Sequence, residues 1–457
     1  MTKKINFILA EVLKKVEPLK EELKVINEGL DDFLEKVKKR IKVLKIDAEV
    51  FVGGSFAKNT VIKKDYYDVD VFVRFDKKYK DKEISVLTEK LLSDVKGVSV
   101  VHGSRDYFRA KVNSYFFIEV IPVTKITKSS EARNITDLSF SHVKYINKKV
   151  KSKKILDEIK IAKAFCHANN CYGAESYING FSGYGLELLV YYYGGFLRFI
   201  KAVSKMKDTH FARTPRRREN LLKQAPNNIQ KNIVTKGKEI IDIEKHYRNK
   251  SVVLMDLNSS KLQSPIVLID PTHKQRNALA ALSEETLEKF KKACERFLKN
   301  PSVKSFEIEK TDLEKVKKEA KKKKYEFILI EVKTNKQEGD VAGSKLLKFY
   351  RHLNEEIEKF FEIRKKGFNY NKRKSARYFF VVKKKKEILL EGPHAEDKKN
   401  VLAFKKKHKN VFVKKGRICA REKVGFSLKE FIEKWKRKNK KKVREMYIKG
   451  LKVIQIY

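Results

Sequence analysis

The hydrophobic positions of the first 45 residues have helical spacing. Apolar residues recur at intervals of three and four between residues 5 and 45, with a break near Pro18. The best-spaced members are Ile26, Leu30, Phe33, Val37 and Ile41. Residues at this spacing lie on one face of a helix, so the pattern predicts helices that each bury one face.

Shorter apolar runs then alternate with further helical patterns. The predicted strands are residues 48–52, 68–75, 114–123 and 264–271, and the predicted helices are residues 86–95, 154–170, 184–203 and 278–298. Residues 204–263 are polar, basic and poorly periodic. This segment predicts a mobile insertion with one or two helices.

The pattern changes after Pro301. Strand-like segments such as "YEFILIEVKT" are separated by helical patterns, which lie at residues 343–365, 396–408 and 427–446. Strands that alternate with helices over this length predict a small α+β domain. We therefore predict three domains, residues 1–150, 151–300 and 301–457.

The charge of the chain restricts its partners. It has 107 Lys and Arg residues against 58 Asp and Glu residues, a formal net charge of +49, and its 41% hydrophobic content is enough for folded cores. Such a charge repels itself unless a polyanion is bound, so nucleic acid is the favoured partner. Two alternatives stay open, namely the lysine-rich composition of some thermophiles and an anionic membrane surface.

The cysteines and the apolar runs exclude other classes. Cys166, Cys171, Cys294 and Cys419 form no C-x-x-C pair, so neither a zinc ribbon nor a disulfide framework is expected. No stretch approaches about 18 uninterrupted apolar residues, and no small-residue cleavage site follows the N-terminus. The sequence predicts a soluble, cytoplasmic protein without membrane contact.

Candidate chemistry is concentrated in "VGGSFAKNTVIKKDYYDVDVFVRF", residues 52–75. Alternate residues of a strand point to the same face, so Asp68 and Asp70 lie side by side. Adjacent carboxylates repel each other unless a cation joins them, and Mg²⁺ prefers oxygen ligands of this kind. For the pair taken alone, a surface strand with two solvated acids is the alternative.

The residues ahead of the aspartates suit a phosphate group. Gly53 and Gly54 allow the backbone to approach a ligand closely, and Ser55 begins a predicted helix whose first amides can bind phosphate. Lys58 adds positive charge. A phosphate cradle followed by a metal-binding strand is the outline of a nucleotidyl-transfer site, so the combination disfavours the solvated strand.

This stretch resembles the signature of the polymerase-β-type nucleotidyltransferase superfamily. Four further segments are similar to segments of the archaeal (class I) CCA-adding enzymes, namely "DLSFSHVKYI" (137–146), "IAKAFCHANNCYGAES" (161–176), "GFSGYGLELLVYYYGGF" (180–196) and "LIDPTHKQRNALAALS" (268–283). The resemblance covers most of the chain. It implies an α+β fold with a polymerase-β-type catalytic domain, a helical central domain and a basic α+β C-terminal region.

The resemblance also implies a nucleotide site assembled from several segments. Its residues would be Gly54, Ser55, Lys58, Ser139, His142, Lys163, Tyr172 and Arg276. Arg276, in the D-P-x-x-x-x-R-N segment, would read the base without a template. The alternatives are structural: a helix-surface or satisfied histidine at His142, a core aromatic at Tyr172, a surface arginine at Arg276, and one lysine of a lysine-rich region at Lys163.

The sequence departs from the family pattern in three places. Glu119, in "FIEVIPV", stands where the family has an aspartate, so Asp68, Asp70 and Glu119 are the implied ligands of two Mg²⁺ ions. A glutamate paired with a lysine or arginine is the alternative for Glu119. Phe140 replaces the usual proline after the hydroxyl residue, and residues 204–263 exceed the expected length.

The implied reaction is template-independent addition of CCA to the 3′ end of tRNA. The terminal 3′-hydroxyl would attack the α-phosphate of CTP or ATP and release pyrophosphate, assisted by Mg²⁺. Basic C-terminal helices would bind the tRNA backbone. Two alternatives remain, namely a poly(A) or oligoadenylate polymerase on the same fold and a non-catalytic RNA-binding relative. The sequence leaves open whether the protein is a homodimer.

Overall fold

The computed structural model describes residues 2–103, 105–206, 238–309 and 311–456. The chain forms two compact units, Met1–Glu309 and Lys310–Tyr457. Residues 207–237, which make up half of the expected insertion, lie outside the described residues. The division into three domains stays a prediction.

The N-terminal unit begins with helices and a five-stranded sheet. The helices are α1 (Thr2–Val16), α2 (Lys20–Val43), α3 (Gly54–Ala57) and α4 (Asp81–Leu91). The strands are β1 (Ala48–Val52), β2 (Tyr67–Phe75), β3 (Val98–Val101), β4 (Tyr107–Lys111) and β5 (Phe116–Thr124), in the order β1-β2-β5-β4-β3. The three strands predicted here are confirmed.

The helix predicted at residues 86–95 begins earlier than expected. It starts at Asp81 because the Glu83 side chain accepts a hydrogen bond from the Lys80 N–H at 2.6 Å and so caps the first turn.

The packing of β2 places the two aspartates on the face of the sheet opposite α2. Val69, Val71 and Val73 are buried in one core with the apolar face of α2. All five best-spaced residues of α2 are buried, as the helical pattern predicts. Asp68 and Asp70 alternate with the buried valines, so they point to the other face of the sheet.

The rest of the N-terminal unit is mostly helical. Its helices are α5 (Ser139–Lys149), α6 (Lys153–Ala168), α7 (Gly183–Tyr192), α8 (Phe196–Ser204), α9 (Lys250–Asp256) and α10 (Glu284–Lys299), with 3₁₀ helices at Ser129–Glu131, Ile135–Leu138, Ser259–Leu262 and Val303–Phe306. A small sheet contains β6 (Glu239–Asp242), β7 (Ile266–Asp270) and β8 (His273–Asn277), in the order β6-β7-β8. Buried residues of α1, α6, α7, α8 and α10 share one core.

Two predictions in this region were wrong in detail. The helix expected at residues 184–203 is broken at Gly194 and Gly195, whose φ angles of +68° and +128° a continuous helix cannot contain. The helix expected at 278–298 begins only at Glu284, after a cap in which the Ser283 side chain accepts from the Thr286 N–H. Strand β8 was missed because "HKQRN" carries no apolar alternation.

The C-terminal unit is α+β, as predicted. Its helices are α11 (Leu313–Lys322), α12 (Asp340–Glu358), α13 (Lys398–Lys407), α14 (Leu428–Lys438) and α15 (Lys440–Glu445). Its strands are β9 (Glu326–Thr334), β10 (Phe361–Tyr370), β11 (Ser375–Lys384), β12 (Glu387–His394), β13 (Val411–Lys414), β14 (Arg417–Lys423) and β15 (Ile448–Ile456), in two sheets ordered β10-β11-β9-β15 and β12-β14-β13.

The helix expected at residues 343–365 ends at Glu358, because the following residues pair with β11 as β10. Among the described residues, no helix has the length and apolar character needed to cross a membrane.

Candidate active site

Three carboxylates lie on neighbouring strands of the five-stranded sheet, on the face opposite α2. Asp68 and Asp70 belong to β2. Strand β5 runs parallel to β2 and places Glu119 directly beside Asp70. The structure therefore brings together the three acids that the sequence singled out, although their role as metal ligands stays a prediction.

The charges of this group are unevenly compensated. Burial, with the negative charges of Glu119 and Asp68, raises the pKa of Asp70 to about 7. Asp68 accepts from the Lys64 ammonium at 3.4 Å. Glu119 accepts from Arg109 Nε at 3.1 Å, and Arg109 is its cross-strand neighbour on β4. The arginine partner considered as the alternative for Glu119 is thus present, beside the aspartate pair.

The chemistry of these acids fits a divalent cation. As they stand, no three His, Cys, Asp or Glu side chains in the described part of the chain are arranged to hold a metal ion. A cation beside Asp70 would nevertheless remove the repulsion that raises its pKa. Carboxylate oxygens are also the ligands that Mg²⁺ prefers.

The glycine pair allows the chain to pass directly against Asp70. The Gly53 N–H donates to the Asp70 carbonyl oxygen at 2.8 Å. Gly54 has a φ of +60°, and a Cβ at this position would lie 1.7 Å from Asp70 Oδ2. Helix α3 begins here and has only four residues, of which Ser55 is the second. The expected helix start is confirmed, but it is a single turn.

Lys58 and Lys163 meet at one buried carboxylate. The Lys58 ammonium donates to Glu187 Oε2 at 2.5 Å, and the Lys163 ammonium donates to Glu187 Oε1 at 2.8 Å. Thr60 Oγ1 also donates to Glu187 Oε1, at 2.7 Å. Burial alone would raise the pKa of Glu187, but the two ammonium groups outweigh it and lower that pKa to about 2.

A second cluster is centred on Asp270, at the end of β7. Its Oδ2 accepts from Arg276 at 2.7 Å and lies 3.0 Å from His142 Nε2. Its Oδ1 accepts from the Thr272 N–H at 2.8 Å and from the Tyr184 hydroxyl at 3.2 Å. Burial alone would raise the pKa of Asp270, but the His142 hydrogen bond and the Arg276 charge hold it well below its usual range.

The two clusters adjoin each other through Tyr184. The Lys58 ammonium lies 5.8 Å from the centre of the Tyr184 ring. His142 also stacks on the Tyr184 ring, with ring centres 4.0 Å apart. Burial lowers the pKa of His142, so its imidazole is neutral at pH 7. The positive charge of Lys58 also acts on Asp70, which connects both clusters to the acidic strands.

Ser139 and Tyr172 occupy less central positions in the described contacts. Ser139 is the first residue of α5, three residues before His142. Tyr172 stacks on His167 with ring centres 4.1 Å apart, and burial raises the pKa of its hydroxyl. A Cβ at Gly183 would lie 2.8 Å from that hydroxyl, so the glycine leaves room for it.

Phe140 has a packing role that explains the missing proline. Its ring meets that of Phe51 edge-on, with centres 5.1 Å apart, and the Arg74 guanidinium lies 4.1 Å from its centre. These contacts fix the first turn of α5 against the first two strands. A proline could not make either contact.

Sequence reasoning missed Glu187, Asp270 and Tyr184 as members of the site. Glu187 is the lone acid in the apolar helix "GYGLELLVYY", which is the one local signal for it. Asp270 opens the D-P-x-x-x-x-R-N segment, but only its arginine was singled out. The last residue of that segment, Asn277, is structural, because its side chain bonds the Leu268 and Leu279 amides at 3.0 and 2.9 Å.

Comparison with family models defines the class of protein. A model described as "Nucleotidyltransferase domain" matches residues 30–124, and one described as "tRNA nucleotidyltransferase, second domain" matches residues 157–307. The first range contains the three acids, and the second contains Lys163, Glu187 and every member of the Asp270 cluster except His142, which lies between the two ranges. The fold is that of a polymerase-β-type nucleotidyltransferase.

Comparison with curated proteins identifies the family. The CCA-adding enzyme of Nanoarchaeum equitans is 31% identical over 406 residues, which cover 88% of this chain and 89% of that protein. The CCA-adding enzyme of Methanocaldococcus jannaschii is 27% identical over 427 residues, covering 91% of this chain and 87% of that protein. The chain belongs to the CCA-adding enzymes, a family of tRNA nucleotidyltransferases.

Similar solved structures are more distant. A crystal structure of the Cid1 poly(U) polymerase has 13% sequence identity and a TM-score of 0.48, covering 68% of this chain and all of that chain. At this TM-score the likeness carries no argument about activity.

Proposed function

We propose that this protein adds CCA to the 3′ end of tRNA, using CTP and ATP and releasing pyrophosphate. The observation that carries the proposal is the similarity to CCA-adding enzymes along nearly the whole chain. The site supports it, because acids suited to a cation adjoin lysines suited to phosphates. The location of the protein in the cytoplasm and a homodimeric state stay predictions.

The lysine pair would bind the phosphates of the incoming nucleotide. Two ammonium groups share one carboxylate at Glu187, so the cluster keeps one positive charge that is not neutralised. Gly54 and Ser55, in the single turn beside Asp70, would bring backbone amides to the same phosphates. Tyr172 and Ser139 would complete the contacts to the triphosphate and sugar.

The acids would hold Mg²⁺ through Asp68, Asp70 and Glu119. When bound there, Mg²⁺ lowers the pKa of the attacking 3′-hydroxyl and neutralises charge on the departing pyrophosphate. Asp70 must be ionised for this role, and its pKa of about 7 means that a proton competes with the cation near neutral pH.

The Asp270 cluster would read the base. Its carboxylate fixes one nitrogen of Arg276, and the remaining guanidinium donors have a planar geometry that base acceptors can match. The neutral His142 donates its Nε2 proton to Asp270, so its Nδ1 can only accept. The Arg276 donors and the His142 Nδ1 acceptor would thus both be held in place by the buried Asp270 carboxylate.

The experiment that tests this function uses tRNA lacking its CCA end. The protein is incubated with this tRNA and Mg²⁺, and with CTP alone, ATP alone or both. We expect two nucleotides with CTP alone, three with both, and no further extension. A long homopolymer with ATP would favour a poly(A) or oligoadenylate polymerase instead. Absence of any metal-dependent incorporation would point to a non-catalytic RNA-binding relative.

A further inference from the structure

Glu187 is an acid in a place where an acid is costly. It lies in the middle of α7, between the fully buried Leu186 and Leu188, and its own side chain has no solvent exposure. An ionised carboxylate at such a position destabilises the fold unless opposite charge and hydrogen bonds compensate it. Its contacts therefore need an explanation beyond the packing of α7.

The contacts of Glu187 come from two distant segments of the chain. Lys58 and Thr60 follow α3, whereas Lys163 is on α6. Thr60 also contacts Lys163 directly. The hydroxyl and carbonyl oxygens of Thr60 accept hydrogen bonds from the Lys163 ammonium at 2.8 and 3.0 Å. The four side chains form one hydrogen-bonded group in which both lysines are almost fully buried.

The charge of this group argues against a purely structural purpose. One lysine would be enough to compensate Glu187. The second leaves an excess positive charge in a buried place, and that is as costly as an excess negative one. The Lys58 charge also acts on Asp70, but Glu187 is the one carboxylate that bonds either lysine in the described part of the chain. A further anion would therefore favour the pair, and the proposed reaction supplies one in the nucleotide triphosphate.

We propose that Glu187 is a positioning residue for nucleotide binding, whose carboxylate holds the ammonium groups of Lys58 and Lys163 together as one paired site for the triphosphate. This inference rests on the proposed nucleotidyl transfer. Glu187 does not itself meet the nucleotide. Its carboxylate reduces the repulsion between the two lysines, so both stay charged and fixed when the site is empty of phosphate.

The protonation of Lys163 gives this role a measurable signature. Burial and the positive charges of Lys58 and Lys64 lower the pKa of Lys163 to about 8, against the opposing effect of Glu187. Tyr172 faces Glu187 from the adjoining loop, and its raised pKa keeps its hydroxyl neutral in this range. Nucleotide affinity should therefore fall as the pH rises through about 8, where Lys163 loses its proton.

Removing the Glu187 charge should move this fall to lower pH. In Glu187→Gln the negative charge that opposes burial and the Lys58 charge is gone, so the pKa of Lys163 decreases further. Each unit of decrease below the assay pH corresponds to about a tenfold loss of the protonated form. We expect at least about a tenfold increase of the Kd for ATP at pH 8, and a smaller increase at pH 6.

The test measures ATP and CTP binding to the full chain without tRNA, between pH 6 and 9. Glu158→Gln is the matched control, since Glu158 is on the same helix as Lys163 but accepts from the Phe196 N–H at 2.5 Å and has no lysine partner among the residues that the structure describes. This control should lower thermal stability without moving the pH midpoint. Glu187→Asp keeps the charge with a shorter reach, so it should weaken ATP binding severalfold with an unmoved midpoint.

Three results would overturn the inference. A Glu187→Gln variant that is less stable but binds ATP with the wild-type Kd and midpoint would show a structural role alone. If that variant does not fold, a Glu187→Asp variant that binds ATP with the wild-type Kd would likewise show a structural role alone. An equal shift in Glu158→Gln would show that general destabilisation moves the midpoint. The proposed function fails separately, if the wild-type protein binds ATP and CTP but does not extend tRNA.

Discussion

Replacing Asp270 by asparagine tests whether one buried carboxylate orients the residues that would read the base. Asp270 has no solvent exposure, and its two oxygens accept from His142, Arg276, Tyr184 and Thr272. Asparagine keeps the size of the side chain but replaces one accepting oxygen by an NH₂ group. In either orientation of the amide, its NH₂ group faces a neighbouring hydrogen-bond donor, and the negative charge is lost.

The loss of stability can be worked out from these contacts. Removing one partner of a buried ion pair costs about 3–5 kcal/mol, because the other charge stays buried without compensation. Arg276 keeps 17% of its side chain exposed, so water can compensate part of its charge. We therefore expect the lower end of that range, a loss of about 3 kcal/mol in the free energy of unfolding at pH 7.

The difference between the two proteins should depend on pH in a defined direction. The folded-state pKa of Asp270 lies below its unfolded-state value, which is about 3.9. Its contribution to stability is therefore complete above about pH 5 and decreases as the pH falls through the range below 4. The wild-type protein and Asp270→Asn should differ most near pH 7 and converge in acid.

The assay pairs urea unfolding at several pH values with the relative kcat/KM for CTP, ATP and UTP. Asp256→Asn is the control: Asp256 accepts from Tyr247 and Gln275 near the same small sheet but does not contact Arg276. It should change stability by less than about 0.5 kcal/mol and leave nucleotide choice intact. If Asp270→Asn retains wild-type selectivity, Asp270 does not orient the reading residues.

Three further changes address the other parts of the site. Arg276→Ala should damage the choice of CTP and ATP over UTP more than tRNA binding, because its guanidinium would meet base acceptors; unchanged selectivity in steady-state kinetics would contradict this. Glu119→Gln should nearly abolish both C and A addition while tRNA binding changes little, and near-normal turnover at low Mg²⁺ would place the third ligand elsewhere. Removing residues 310–457 should lower the affinity for tRNA and the salt dependence of that affinity, because lysine clusters concentrate in this segment, while nucleotide binding persists. An unchanged salt slope in tRNA titrations would refute this prediction.

The local sequence pattern was sufficient to predict the positions of the two aspartates on β2. The alternation in "DVDVFVRF" determines which face each residue takes, and the apolar face of α2 covers the valines, so the position of Asp68 and Asp70 follows from neighbours in sequence. The helix breaks at Gly194 and Gly195 were not predicted, because the apolar spacing continues through them. The spacing of apolar residues contains no information about φ angles, and the positive φ angles of these two glycines are what end the helix.

The charge partners could not be predicted from local pattern. Glu187 is 129 residues from Lys58, and His142 is 128 residues from Asp270, so both contacts depend on how α7 and β7 pack against distant segments. The Arg109 partner of Glu119 depends on the register of β4 against β5, which a one-residue shift would change. The residue types were visible in the sequence, but the pairings require the fold.

The two sides of the site have opposite deficits of charge. Burial and the negative charges of Glu119 and Asp68 raise the pKa of Asp70, and the nearby positive charges of Lys58 and Lys64 do not offset them. Lys58 and Lys163 share the single Glu187 carboxylate, so the pair keeps an excess of positive charge. A nucleotide triphosphate with its Mg²⁺ ion would bring both charges on one ligand, so each half of that ligand would improve binding of the other. Mg²⁺ alone or the metal-free nucleotide alone would leave one of the two deficits in place, which is a physical reason for such a site to prefer the complex.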